Sequence, residues 1–345
     1  MDRVKKVLLS LISLIFLTLN TCDENPINGD DTKPGRRDYT WKIDTLMTPA
    51  YTLVRRMWGS GPNDVWAILS GADLDETIWH YDGNSWTTDG IFRSIEPASI
   101  FGFAPDNIWL GGHQGEIWHY NGFSWDPITV LVASPNTTIT WENIWGINPN
   151  NVYAVGAYED HNLLNNNGVI AHYDGNSWEL LNIQINNSLT KIYKDNITGY
   201  IVEGMRFGLI DTSKVFLFSP NKLTEIYSNM ATSSYNASIG LTNDIVLISL
   251  GKEIYTYSNN KFNLFYTIEY EFFGGGIIGR SLKDIFLGMR DGIAHYNGSD
   301  VQYLFYADNP NTFITAWAIY KSEVFFSFYD FSNGKTYMYK GTLND

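Results

Sequence analysis

Ile78-Trp79-His80-Tyr81-Asp82-Gly83-Asn84-Ser85-Trp86 decides the fold of this chain, because the chain repeats it. Ile117-Trp118-His119-Tyr120-Asn121-Gly122-Phe123-Ser124-Trp125 is a second copy and Ile170-Ala171-His172-Tyr173-Asp174-Gly175-Asn176-Ser177-Trp178 a third. A worn fourth reads Ile293-Ala294-His295-Tyr296-Asn297-Gly298. The residues before the turn alternate and are aromatic or β-branched, which predicts a strand. Asp-Gly or Asn-Gly then supplies the positive-φ positions of a tight hairpin, and Ser-Trp opens the next strand. A recurring hairpin implies a repeat architecture, which has to be settled before any residue is given a chemical role.

Working outward, each hairpin follows another strand–turn–strand. The first unit has Thr52 to Gly59, a turn Ser60-Gly61-Pro62-Asn63-Asp64, then Val65-Trp66-Ala67-Ile68; the second has Ile100-Phe101-Gly102, then Ile108-Trp109-Leu110; the third has Ile144-Trp145-Gly146, then Val152 to Val155. Four short strands per unit of about 40 residues is the arithmetic of a β-propeller blade. The hairpin tyrosine or its replacement falls at Tyr81, Tyr120, Tyr173, Phe218, Tyr257, Tyr296 and Tyr339, so the expectation is all-β, a seven-bladed propeller. The last unit ends before a fourth strand, while Tyr39 to Leu46 reads as an outer strand with no hairpin before it. The N-terminal strand should therefore complete the last blade and remove two open sheet edges, with Trp41 beside the strand Lys335–Tyr339.

Units of the form WGS-x-P-NDVWA…HYDGNSW resemble the propeller repeats of bacterial secreted and lipid-anchored proteins, and are loosely similar to kelch repeats and galactose-oxidase central domains. The resemblance covers roughly residues 38 to 343. It implies the fold and leaves function open, because propellers host enzymes, binders and scaffolds.

Aromatic residues make up 15% of the chain and charged residues 17%, which suits a core of stacked rings, and the net charge of −14 argues against a nucleic-acid partner. The N-terminus has a basic start and an apolar run, Val7 to Leu19, followed by Leu19-Asn20-Thr21-Cys22. The run is short for a membrane span and reads as a signal peptide over 1–21, and the residues before Cys22 resemble a bacterial lipobox. Cys22 is the single cysteine, so lipidation explains an otherwise unpaired thiol, and no disulfide forms within one chain. Residues 22–37, polar and acidic with Pro and Gly, read as a disordered tether reaching about 50 Å when extended. Acidic residues after the cysteine resemble an inner-membrane retention signal in some bacteria and a surface-export signal in others. The expected domain is 38–345, a monomer held by lipid at the outer membrane or cell surface of a bacterial envelope.

His80, His119, His172 and His295 share one repeat position and Trp86, Trp125 and Trp178 another, so both read as packing rather than chemistry. Ligand-reading residues are expected where loops between second and third strands gather with the links between blades. Arg55, Arg56, Arg206 and Arg290 stand out in an acidic chain. With Trp141, Tyr270 and Phe272 they suit a channel-mouth patch for an acidic or sugar ligand. His113, Glu142 and Asp291 join the candidate ligand-binding set. Glu159, Asp160 and His161, with His113, lack metal-motif spacing, and no metal or other cofactor is expected. Glycoside chemistry would draw two acids from Glu142, Glu116, Asp291 and Glu271. The leading reading is a non-enzymatic propeller that presents one loop face to a glycan or envelope protein. The alternatives are a carbohydrate-active enzyme with paired carboxylates at the channel, and an envelope scaffold.

Overall fold

The repeated turn closes on its own first side chain. Asp82 Oδ1 accepts the amide hydrogens of Asn84 and Ser85, both at 2.9 Å, and Asp174 and Asn121 do the same in their copies. Only the glycine takes a left-handed conformation, with φ of 96°, 91°, 98° and 97° at Gly83, Gly122, Gly175 and Gly298. The hairpin is thus an Asx-capped loop of four residues rather than a two-residue turn with both positions at positive φ. That second kind does occur once the repeat has decayed, at Asn259 and Asn260, where φ is 53° and 57°.

The computed structural model describes residues 33–48, 51–160, 165–206, 211–230, 236–307, 309 and 311–344. Among them, the strands form five four-stranded sheets and one of eight, and the eight-stranded sheet is two four-stranded sets joined at a single parallel bridge, Thr242–Gly279. Blade 1 runs outward from Leu53–Gly61 through Asp64–Ser70 and Ile78–Tyr81 to Trp86–Thr87. The inner strands of the next sets are Pro97–Ala104, Ile139–Asn148, Ser188–Asp195, Ala237–Thr242, Phe273–Ser281 and Thr312–Ile319. Each inner strand neighbours the next, and the last neighbours the first, so the sheets form a β-propeller ring around a channel.

The last sheet is completed from the other end of the chain. Tyr39–Leu46 pairs antiparallel with Lys335–Leu343, placing Trp41 opposite Gly341 and Ile43 opposite Tyr339. The closing strand therefore runs beyond Tyr339 to Leu343, and Trp41 lies beside it as expected, opposite Gly341. Buried Arg280 fastens this strand to blade 6: it donates to Asp284, to the Tyr320 and Lys321 carbonyls, and to the Tyr39 hydroxyl. Part of the expected tether is also docked. The Gly35 amide donates to the Lys283 carbonyl, and Arg37 holds the His295 carbonyl and the Asp300 carboxylate, so the chain meets the ring before Arg37 rather than after it. Cys22 and the predicted signal segment lie outside the described residues.

The core lies between blades, and the repeat builds it. Each repeated histidine meets a side chain at the start of the preceding strand through Nε2: Asp64 for His80 at 2.7 Å, Asn107 for His119 at 2.9 Å, Asn151 for His172 at 2.9 Å and Asp284 for His295 at 2.7 Å. Each also packs on an aromatic ring, Trp66, Trp109, Tyr153 and Phe286 in turn. The repeated tryptophans reach the neighbouring blade, with Trp66 edge-on to Trp125 at 5.5 Å and Trp109 to Trp178 at 5.4 Å. Histidine and tryptophan act here as packing between strands and blades, as their repetition implied.

Candidate functional site in the axial channel

Strand alternation alone would send every second residue of an inner strand toward a neighbouring blade. Instead the ladder slips near the start of several inner strands, between Val54 and Arg56, Pro97 and Ser99, Trp141 and Asn143, and Leu189 and Lys191. A bulge adds one residue and re-aims it. The residues so inserted are Arg55, Ala98, Glu142 and Thr190. Two of them join across the ring: Arg55 Nη2 donates to Glu142 Oε2 at 2.8 Å, passing blade 2, whose Ala98 carbonyl accepts from Arg55 Nε at 3.2 Å.

A second charged knot lies at blades 4 and 5. Glu203 is buried and accepts from Lys191 Nζ at 3.0 Å, Thr190 Oγ1 at 2.8 Å, Ser238 Oγ at 2.9 Å and the Ile239 amide at 2.8 Å. Burial pushes its pKa up, but the Lys191 charge and these hydrogen bonds more than offset it, so Glu203 ends below the usual carboxylate range.

Arg56 stands between the two knots. Its Nη1 donates to the Arg55 carbonyl at 2.9 Å, and no carboxylate bonds it among the described residues. Desolvation in the channel pulls its pKa down; the nearby Tyr193, Glu142 and Glu203 oppose that pull and Arg55 adds to it. Tyr193 is pushed up to about 12 by burial, against the influence of Arg56. Among the described residues the channel thus holds the ion pairs Arg55–Glu142 and Lys191–Glu203, and Arg56, to which no carboxylate is bonded.

The other expected residues do not join this cluster. Trp141 does not line the mouth; its side chain is fully buried in the core between blades 2 and 3, because the bulge turns the next residue, Glu142, to the channel instead. His113 sits in the turn beside blade 3, its Nδ1 3.3 Å from Thr140 Oγ1, with its Nε2 buried and without a partner among the described residues. Glu116 folds back to accept the Gln114 amide at 2.7 Å. Tyr270 and Asp291 form a separate group on blade 6, where the Tyr303 hydroxyl donates to Asp291 at 2.6 Å and the Tyr270 ring stands edge-on to Tyr303 at 5.1 Å. Arg290 is exposed in the adjoining turn. Arg206 ends the strand Gly199–Arg206, but its side chain, those of Glu159 and Asp160, and all of His161 lie outside the described residues. The sequence reading missed Lys191, Tyr193 and Glu203. For Glu203 a signal existed, a charged residue inside the apolar strand Ile201-Val202-Glu203-Gly204.

Ring and channel define the chain as a β-propeller. Among solved structures it is similar to YCF48 bound to D1 peptide, with a TM-score of 0.59 and 15% identity over 91% of this chain and 100% of that one. It is also similar to YCF48 from Cyanidioschyzon merolae, with a TM-score of 0.57 and 12% identity over 86% of this chain and 98% of that one. The WD40 β-propeller domain of Doa1 aligns with a TM-score of 0.55 and 11% identity, covering 88% and 98% of the two chains. These likenesses show the fold. No protein-family model matches the sequence, and no curated protein does.

Proposed function

We propose that this chain is a non-enzymatic binding propeller whose channel takes an acidic group, a side-chain or C-terminal carboxylate, from a protein partner. The observation that carries the reading is Arg56. An arginine confined with no carboxylate bonded to it among the described residues is costly, and a partner carboxylate repays that cost through a bidentate, charge-assisted contact. The flanking ion pairs Arg55–Glu142 and Lys191–Glu203 hold the surrounding wall in place. A propeller of similar fold, YCF48, is recorded with a bound peptide, which is the kind of partner this reading asks for. In the same reading Cys22 carries the lipid and the residues after it hold the ring away from a bacterial membrane. The glycan alternative draws on a different place, the Tyr270, Tyr303 and Tyr306 rings gathered near Asp291 on blade 6.

The test is calorimetric titration of the domain with short peptides that differ only in a free or amidated C-terminal carboxylate and in Glu or Gln side chains. The carboxylate forms should bind, and Arg56→Met should weaken them about tenfold or more, roughly 1.4 kcal/mol. Equal affinity for amidated and free forms, or an Arg56→Met variant that binds as well as the parent, defeats the reading. Cys22→Ser should release the protein from membranes, and persistent association removes the anchor.

A further inference from the structure

Blade 1 and the last blade differ beyond one level of their outer ladders. Tyr81 pairs with Trp86, and Tyr339 with Ile43. Past that level blade 1 turns through residues 82–85, because a single hairpin supplies both of its outer strands. The last blade has no such hairpin, since its outer strand comes from the other end of the chain. Its ladder runs on, pairing Lys42 with Lys340, Trp41 with Gly341 and Thr40 with Thr342. A pocket of about 380 Å³ lies between this extension and the blade 1 turn.

The extension carries an unbalanced charge. Residues directly opposite in a ladder share a face, so Lys42 and Lys340 stand together on the side that lines the pocket, with Thr40 and Thr342 in the next row. Like charges so placed repel. Asp44 meets Lys42 at 3.1 Å, but the two side chains are 57% and 33% exposed, so that pair is weak and leaves Lys42 able to contact an anion. Lys340 is half-buried, and no carboxylate bonds it among the described residues. Its Nζ lies 5.2 Å from the centre of the Tyr81 ring and 5.5 Å from that of Phe325, contacts that position the ammonium without neutralising it. The Tyr81 ring is fixed in turn by its hydroxyl, which donates to the Gly83 carbonyl at 2.8 Å. Asp82, the acid of the turn, lies outside the lining, and its Oδ1 accepts the Asn84 and Ser85 amides. The lining thus has two lysines and no acid, in a chain of net charge −14. The groove on the other side of blade 1, opened by the short outer strand Trp86–Thr87, is aromatic, and its Arg93 and Asp89 are paired with each other.

We infer that the pocket between the last blade and blade 1 is a second binding site, separate from the channel, and that it takes the phosphoryl group of a phosphate monoester. Ammonium groups are point charges suited to a compact anion, whereas a planar carboxylate is matched by the fork of an arginine, and no arginine lines this pocket. A phosphate monoester carries a charge of about −1.5 to −2 at neutral pH. It therefore meets both lysines at once and cancels their repulsion, which a singly charged group does only in part. Asn84 and the two threonines add hydrogen-bonding groups around it. A soluble ester and a membrane headgroup both present this chemistry, and the test separates them. The inference does not depend on the channel reading, since the two sites share no residue and call for different anions.

The probes are glycerol 3-phosphate for the soluble ester and dihexanoyl phosphatidic acid for the headgroup, with glycerate as a carboxylate of similar size. Each is titrated into the protein while the backbone amide resonances of Gly83 and Asn84 are followed. Both phosphate esters should shift them and bind about tenfold or more tightly than glycerate, with affinity falling as salt rises. A lipid form that binds about tenfold or more above the glycerol ester assigns a headgroup; one that binds no better assigns a soluble ester. Lys340→Gln, whose stem still covers Tyr81 and Phe325, should melt like the parent and lose about tenfold or more in affinity, while Lys340→Arg should keep most of it. Lys42→Gln, on the other strand, should weaken binding as well and repeats the test if Lys340→Gln does not fold. Glycerate binding as tightly as the phosphate esters, a Lys340→Gln protein that binds like the parent, or no shift of Gly83 and Asn84 with either ester overturns the site.

Discussion

Trp41 and Gly341 face each other across the ladder that joins the two ends of the chain, and a methyl group at residue 341 would lie 2.8 Å from the indole ring. The indole also packs against Tyr39 and Phe326, so the first strand is both hydrogen-bonded and wedged into the last blade.

Gly341→Val should therefore destabilise the ring by about 1–3 kcal/mol through overpacking. Deleting residues 38–46 should do more, because it strips the outer edge of Lys335–Leu343 and takes the Tyr39 hydroxyl away from Arg280. Thermal melts measure both, and a truncated ring that melts with the parent removes the closure argument.

Arg56 and Glu142 should respond to substitution with opposite signs, although both belong to the channel. Glu142→Gln leaves Arg55 without its counter-charge and should cost about 1–3 kcal/mol. Arg56→Met removes a charge that no carboxylate bonds among the described residues and should leave stability unchanged or raised. Denaturant midpoints of the two variants decide this, and an Arg56→Met protein as unstable as Glu142→Gln contradicts the charge ledger of the channel.

Acid should weaken the ring first through its repeated histidines. Burial lowers the pKa of His119, His172 and His295 from the ordinary 6.5. A folded-state pKa below the unfolded one means that the unfolded chain takes up protons the fold refuses. The stabilisation is complete above pH 6.5 and drains away as pH falls through and below that value. Asp284 adds a later loss: burial alone would raise it, but His295 and Arg280 hold it below 3.8, so its share goes only as pH drops through that region. Denaturant midpoints between pH 8 and pH 4 should decline from about 6.5 downward, and His119→Gln with His172→Gln should flatten the upper part. A slope unaltered by the double variant assigns the acid sensitivity elsewhere.

Most of the fold was legible because the repeat is local chemistry written several times. The alternation before Tyr81, the Asx-Gly turn and the Ser-Trp restart each depend on neighbours within a few residues, and repetition separated packing residues such as His80 from unique ones such as Arg55. The channel was legible only in part. Arg55, Arg56 and Glu142 stood out as charges in inner strands, but nothing local marks where a ladder slips, and that slip decides whether Trp141 or Glu142 faces the channel. Lys191 and Glu203 become one knot only when blades 4 and 5 meet.

The amino-acid order by itself determined the strand pattern, the turns, the propeller class and the use of the first strand to finish the last blade, because backbone preference and side-chain period act over short range. The tertiary structure alone decided that Arg37 would dock rather than hang free, that Arg56, among the described residues, would stand in the channel with no carboxylate bonded to it, and that a shortened outer strand would open an aromatic groove between blades 1 and 2. Those outcomes depend on register and on which blade lies next to which, and both are settled only when distant segments pack together.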